Sequence, residues 1–236
     1  RRRSASRGAG MTESRGPAKA VEHHIEITRQ ARYWELGEDI EHPREVWHVL
    51  HGYKQLASRF IRRFQPIDDG TRRIIAPEGL SRFYIGQEAG RHGPASKVGA
   101  TWMTREDRAH EIEDYVAYLD RLQNARRAEN AHMTVLGFSQ GVATAARWVT
   151  AGEVQPDRLV LWGDVLPPDL DLERAGEALR SVDVVLVRGT EDRAISDALA
   201  ERERGQLAKA GVEYRVVEYG GGHEIDRDAL MALVGG

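Results

Sequence analysis

Short apolar runs that alternate with amphipathic stretches constrain this chain more than any other feature. Val46-Trp47-His48-Val49-Leu50, Arg73-Ile74-Ile75-Ala76, Met133-Thr134-Val135-Leu136, Leu159-Val160-Leu161-Trp162, Val182 to Val187 and Tyr214-Arg215-Val216-Val217 read as strands. Helical spacing fills the intervals at about Gln55 to Phe64, Val142 to Val149, Ile195 to Ala210 and Glu224 to Leu233. Most of these runs are continuously apolar, as in strands covered on both faces, and the helix-length connections suit parallel pairing. The pattern predicts an α/β fold with a mostly parallel twisted sheet and helices on both faces.

Three local readings complete the outline. The clearest helix is predicted to follow Thr104, paired with Asp107 as a cap, and to place Ala109, Ile112, Val116, Leu119 and Leu122 on one face. Alternation in His24-Ile25-Glu26-Ile27-Thr28, followed by Ala31-Arg32-Tyr33-Trp34, predicts an antiparallel N-terminal hairpin. A Gly-rich connection runs from Glu78 to Met103, and the Trp162 and Val182 strands are too close in sequence to hold a large cap domain. Arg1 to Ala20 reads as a disordered or vector-derived tail before a single domain over 21–236.

Composition narrows the chemistry. A formal net charge of −3 gives no reason to expect nucleic acid as a partner. The chain has no cysteine, which excludes disulfides, thiolate metal sites and a cysteine nucleophile. Nine histidines are scattered without metal-ligand spacing, so neither a metal nor another cofactor is expected. No apolar stretch is long enough to span a bilayer. The expectation is a cytoplasmic protein without stable membrane insertion that acts on a small molecule, with a homodimer left open.

Gly137-Phe138-Ser139-Gln140-Gly141 joins the Met133–Leu136 strand to the helix beginning near Val142. Strand, Gly-flanked turn and helix form the context that lifts a serine hydroxyl clear of the backbone as a nucleophile. Such a hydroxyl needs a base, and His223 is the candidate, in the flexible Gly220-Gly221-Gly222 turn after the last strand. Asp192, after the Val182–Val187 strand, is the candidate acid to orient the imidazole, with Glu191 and Asp164 as competitors. The order Ser, Asp, His along the chain fits this architecture. Backbone N–H groups of Gln140 and of Tyr53, in His51-Gly52-Tyr53, are the candidate oxyanion donors. His51 is read as structural. Phe83, Tyr84, Trp102 and Met103 are candidates for the wall of a substrate pocket.

These segments together resemble the phospholipase/carboxylesterase family of α/β-hydrolases, relatives of the acyl-protein thioesterases. The resemblance runs from about Trp47 to the C-terminus and rests on Leu50-His51-Gly52-Tyr53, Gly137-Phe138-Ser139-Gln140-Gly141, Gly189-Thr190-Glu191-Asp192 and Gly222-His223. It implies cofactor-free hydrolysis of carboxylic esters, sometimes thioesters, with oxyanion donors matching Tyr53 and Gln140. Two departures stand out: Lys54 replaces a glycine or small residue, and Arg193-Ala194-Ile195-Ser196 replaces a proline-ended pattern. The resulting expectation is a serine carboxylesterase for short to medium acyl chains that works through an acyl-enzyme. A thioesterase or lysophospholipase with the same triad, and a non-hydrolytic ligand-binding protein on the same fold, are the alternatives.

Overall fold

The computed structural model describes residues 19–86 and 92–234. The chain divides into two units, Arg1–Gln30 and Ala31–Gly236. In the first, residues 19–30 carry no helix or strand.

The second unit is built on a seven-stranded sheet of order β1-β3-β2-β6-β7-β8-β9. Its strands are β1 (Tyr33–Leu36), β2 (Glu45–Leu50), β3 (Arg72–Pro77), β6 (His132–Phe138), β7 (Arg158–Trp162), β8 (Asp183–Gly189) and β9 (Tyr214–Tyr219). All pairs are parallel except β1 with β3. Helices α1 (Ala57–Phe60), α2 (Arg108–Ala125), α3 (Gln140–Ala151), α4 (Leu172–Leu179), α5 (Asp197–Ala210) and α6 (Arg227–Val234) accompany it. Between β7 and β8 the chain forms α4 alone, with no cap domain.

The continuous apolar runs follow from burial of both faces. In β7, Leu159 and Leu161 join the core under α3 with Trp148 and Val149, whereas Val160 and Trp162 join the core under α6 with Phe64 and Leu230. In β2, Trp47 and Val49 take the α6 side and Leu50 the α3 side. His48 lies among them fully buried, with Nε2 2.5 Å from Gln123 Oε1 and its ring edge against Trp148. Burial disfavours its charged form and lowers its pKa to about 4.

Three expectations change in detail. The antiparallel N-terminal strand forms, but its partner is β3, with Tyr33 opposite Pro77 and Leu36 opposite Ile74. Residues 24–28 carry no strand, because Ile25 and Ile27 stay exposed while Leu36 reaches the core. The connection after Glu78 folds into a second, two-stranded antiparallel sheet of β4 (Ser81–Tyr84) and β5 (Val98–Thr101). Finally, α2 begins at Arg108 after an Asp107 in the left-handed region, and that side chain makes no cap bond. Thr104 turns away to bind Glu106 and Glu111, and Ala109 is exposed.

Candidate active site

The elbow is set by backbone crowding. Ser139 has φ 53° and ψ −122°, a conformation a side chain tolerates only when its surroundings impose it. A side-chain carbon on Gly137 would lie 2.2 Å from Gly141 O, so the strand-to-helix turn closes only without one. Ser139 N–H donates to Trp162 O at 2.9 Å, and Val142 N–H to Ser139 O at 2.8 Å. The serine is therefore fixed between the ends of β6 and β7 at the start of α3.

The loop after β2 reaches this point from the other side. A carbon added to Gly52 would meet Ser139 Cβ at 3.1 Å. The neighbouring N–H groups are occupied: Gly52 N–H donates to Gln55 Oε1 at 2.9 Å and Lys54 N–H to Ala100 O at 3.0 Å. The N–H of Tyr53 between them has no partner among the described residues. Gln140 N–H, in the first turn of α3, likewise lacks an intrahelical acceptor. Both donors are thus available at the strand ends.

Sequence reasoning did not anticipate what holds Gln140. Its Nε2 donates to Met103 O and Thr101 Oγ1, both at 2.9 Å, and its Oε1 accepts from Trp102 N–H at 3.2 Å. The side chain thereby ties the elbow to the end of β5. The amide in the motif was the available signal, since a buried amide needs several partners. His51 is structural: Nδ1 bonds Gly52 O at 2.8 Å, Nε2 accepts from Gly79 N–H at 3.0 Å, and the ring stacks on Trp102. Burial lowers its pKa to about 4, so it stays neutral.

His223 and Asp192 come together. His223 Nδ1 is 2.8 Å from Asp192 Oδ2, and the aspartate side chain is 3% exposed. Glu191 and Asp164 make no such contact with His223: Asp164 Oδ1 accepts from Val165 N–H, and Glu191 N–H donates to Gly221 O. The imidazole packs on Phe138, the residue before Ser139, with ring centroids 4.9 Å apart, and against Gly163. Tyr219 organises the turn that carries it, its hydroxyl donating to Gly222 O at 2.7 Å with Glu224 O at 2.8 Å. In the sequence the glycines of this turn stand out and the tyrosine before them does not, so its role was missed.

A groove of about 260 Å³ opens beside the elbow, lined in part by Met103, Gln140, Val165, Leu166, Pro167 and Leu199. Of the four pocket candidates, Met103 alone lines it. Trp102 is a core residue whose Nε1–H donates to His51 O. Phe83 stacks on Tyr53, and the exposed Tyr84 stacks on His92. None of these three aromatics lines the groove.

Solved structures share this architecture. Esterase PE8 matches at 18% identity over 88% of this chain and 97% of its own, with TM-score 0.64. Acyl-protein thioesterase 2 of Zea mays matches at 16% identity over 86% of this chain and 96% of its own, with TM-score 0.66. A carboxylesterase from Mesorhizobium loti matches at 16% identity over 86% of this chain and 92% of its own, also with TM-score 0.66. These likenesses establish the α/β-hydrolase fold. Comparison of the sequence with curated proteins finds no match. The model of one family, Serine hydrolase (FSH1), matches residues 48–231, which include every candidate site residue named above. On that match, which spans most of its length, the chain belongs to the FSH1 serine hydrolase family.

Proposed function

We propose that the protein is a serine carboxylesterase acting on esters of short to medium acyl chains through an acyl-enzyme. The observation that carries this reading is the 2.8 Å bond between His223 and Asp192, with the imidazole packed on the residue preceding the strained Ser139. In the mechanism, His223 removes the Ser139 proton as the hydroxyl attacks the ester carbonyl. Asp192 holds the Nδ1–H tautomer and stabilises the imidazolium. Tyr53 and Gln140 N–H groups receive the oxyanion. His223 then returns the proton to the departing alcohol, and water cleaves the acyl-enzyme by the same route.

The small groove and the absence of a cap between β7 and β8 support short rather than long acyl chains. The same reading keeps the cytoplasm as its compartment. Among the described residues, no helix is long and apolar enough to cross a membrane.

Replacing Ser139 with Ala tests the reading. Turnover of a p-nitrophenyl ester is expected to fall by several orders of magnitude with the fold intact, and a fluorophosphonate is expected to label the wild type alone. Retained turnover in the variant would overturn the assignment. Thioester or lysolipid substrates turned over faster than matched esters would reassign the substrate class.

A further inference from the structure

The groove beside the elbow carries more positive charge than its own carboxylates balance. It follows the face of α3 that presents Gln140, Ala143, Thr144 and Arg147, and the loop Asp164 to Pro168 and α5 close its other side. Arg147 is a buried cation, its side chain 8% exposed. Its Nη2 donates to Asp169 Oδ1 at 2.8 Å, but Asp169 also takes a two-pronged bond from Arg108 at 2.7 and 2.9 Å. Arg147 Nη1 is left with long contacts to neutral acceptors, Met103 Sδ at 3.5 Å and Tyr115 OH at 3.4 Å.

Arg202 of α5 also lines the groove and makes no ion pair among the described residues; its Nη2 donates to Leu166 O at 3.4 Å. Asp164 faces the same space, with Oδ1 accepting from Val165 N–H. In the lining itself two guanidiniums therefore meet one carboxylate. Elsewhere near the site the arrangement is balanced, as where Arg188 pairs with the buried Glu203. A cation lining an apolar groove with only weak neutral partners gains most from an anionic ligand.

The geometry points to an acyl group that ends in a carboxylate, seated on Arg147 and Arg202, so that the substrates are half-esters of short dicarboxylic acids. This rests on the serine esterase reading of the same site. Gln140 and Arg147 stand about 10 Å apart along α3 at 1.5 Å per residue, and the arginine side chain leans back toward the helix N-terminus. The groove of about 260 Å³ has room for a short acyl group with its terminal carboxylate. In the reaction, water oxygen ends on the acyl carbon and the carbon–oxygen bond to the alcohol breaks. The products are the free dicarboxylate, the alcohol and one proton.

Hydrolysis of monoethyl succinate, glutarate and adipate is compared with that of neutral ethyl esters of equal acyl length. The wild type is expected to prefer the acidic ester by about tenfold or more in kcat/KM, the worth of a charge-assisted hydrogen bond. In Arg202→Gln that ratio is expected to collapse toward one through KM. Binding of glutarate to Ser139→Ala, followed by calorimetry, reads the groove without turnover and is expected to weaken about tenfold when Arg202→Gln is added. Arg147→Gln provides a second test of the same ratio wherever its thermal unfolding remains cooperative. Hydrolysis of neutral esters with no preference and no glutarate binding would overturn the inference and leave the esterase reading intact. Glutarate binding lost with Arg202→Gln, but no ester turned over, would sustain the anion site and overturn the esterase reading.

Discussion

The carbonyl oxygen of Leu50 occupies the space a side chain at Gly141 would need: a carbon placed there would lie 2.2 Å away. Leu50 closes β2, and Gly141 sits in the first turn of α3. Their contact sets how near the loop after β2 comes to the first turn of α3. Gly141→Ala must push the helix off the strand end. The expected cost is about 1–3 kcal/mol of stability, with a fall in kcat larger than the change in KM. Thermal unfolding and steady-state kinetics check this; an alanine variant with unchanged melting temperature and kcat would contradict it.

Tyr219 is expected to act by positioning His223. Its hydroxyl serves the carbonyls of Gly222 and Glu224, on either side of the histidine, and accepts from Trp162 Nε1 at 3.3 Å. Tyr219→Phe keeps the ring and removes the hydroxyl, costing about 1 kcal/mol of stability. The larger effect is expected in kcat, down about tenfold with KM nearly constant, because a loosened turn misplaces the imidazole. A matching loss in the rate of fluorophosphonate labelling places the effect at the nucleophile. Unchanged labelling would make the tyrosine merely structural.

The fold was readable where burial acts on consecutive residues. The β7 run Leu159 to Trp162 is apolar throughout because alternate residues enter different cores. The elbow was readable because its glycines answer a local demand, the 2.2 Å approach of Gly141 O to position 137. What escaped depends on partners distant in sequence. Tyr33–Leu36 pairs with β3 rather than with residues 24–28, a choice settled by the edge the sheet offers. The groove draws Arg147 from α3, Leu166 from the loop after β7 and Arg202 from α5, and no spacing along the chain announces that meeting. Trp102 looked like a pocket wall because aromatic content alone does not distinguish a wall from the core stack it makes on His51.

Stability is expected to fall as the pH drops from about 6.5 toward 4. His48 and His51 are buried and neutral, each with its pKa lowered from 6.5 to about 4 by burial. Between those values the unfolded chain binds more protons than the folded one, so stability is full above about 6.5 and is lost on acidification. Each histidine contributes on the order of 1.4 kcal/mol per pH unit in that window, about 3 kcal/mol in all as an upper bound. Urea unfolding at several pH values measures the slope. His48→Asn, which does not titrate, is expected to be less stable at neutral pH and to show a shallower slope. An identical slope in wild type and variant would remove His48 from the account.

Lys54 carries a backbone conformation suited to glycine, with φ 67°, beside the proposed oxyanion donor Tyr53. The chain has little freedom there: Lys54 N–H donates to Ala100 O, and a carbon on Gly99 would meet Lys54 O at 2.5 Å. Left-handed geometry costs an L-residue roughly 1–2 kcal/mol. Lys54 recovers about 0.5 kcal/mol through its Nζ, 5.2 Å from the centroid of the Tyr53 ring. Glycine would remove the strain and lose that contact, while giving the unfolded chain about 0.5–1 kcal/mol more entropy. The contributions nearly cancel, so Lys54→Gly is expected to change stability by no more than about 0.5 kcal/mol. Lys54→Val keeps the strain, adds β-branch crowding and loses the cation, so a loss of about 1–2 kcal/mol is expected, together with lower kcat. Paired unfolding and kinetic measurements on both variants separate backbone geometry from side-chain charge: were Gly and Val equally damaging, the ammonium rather than the backbone would be what matters at this position.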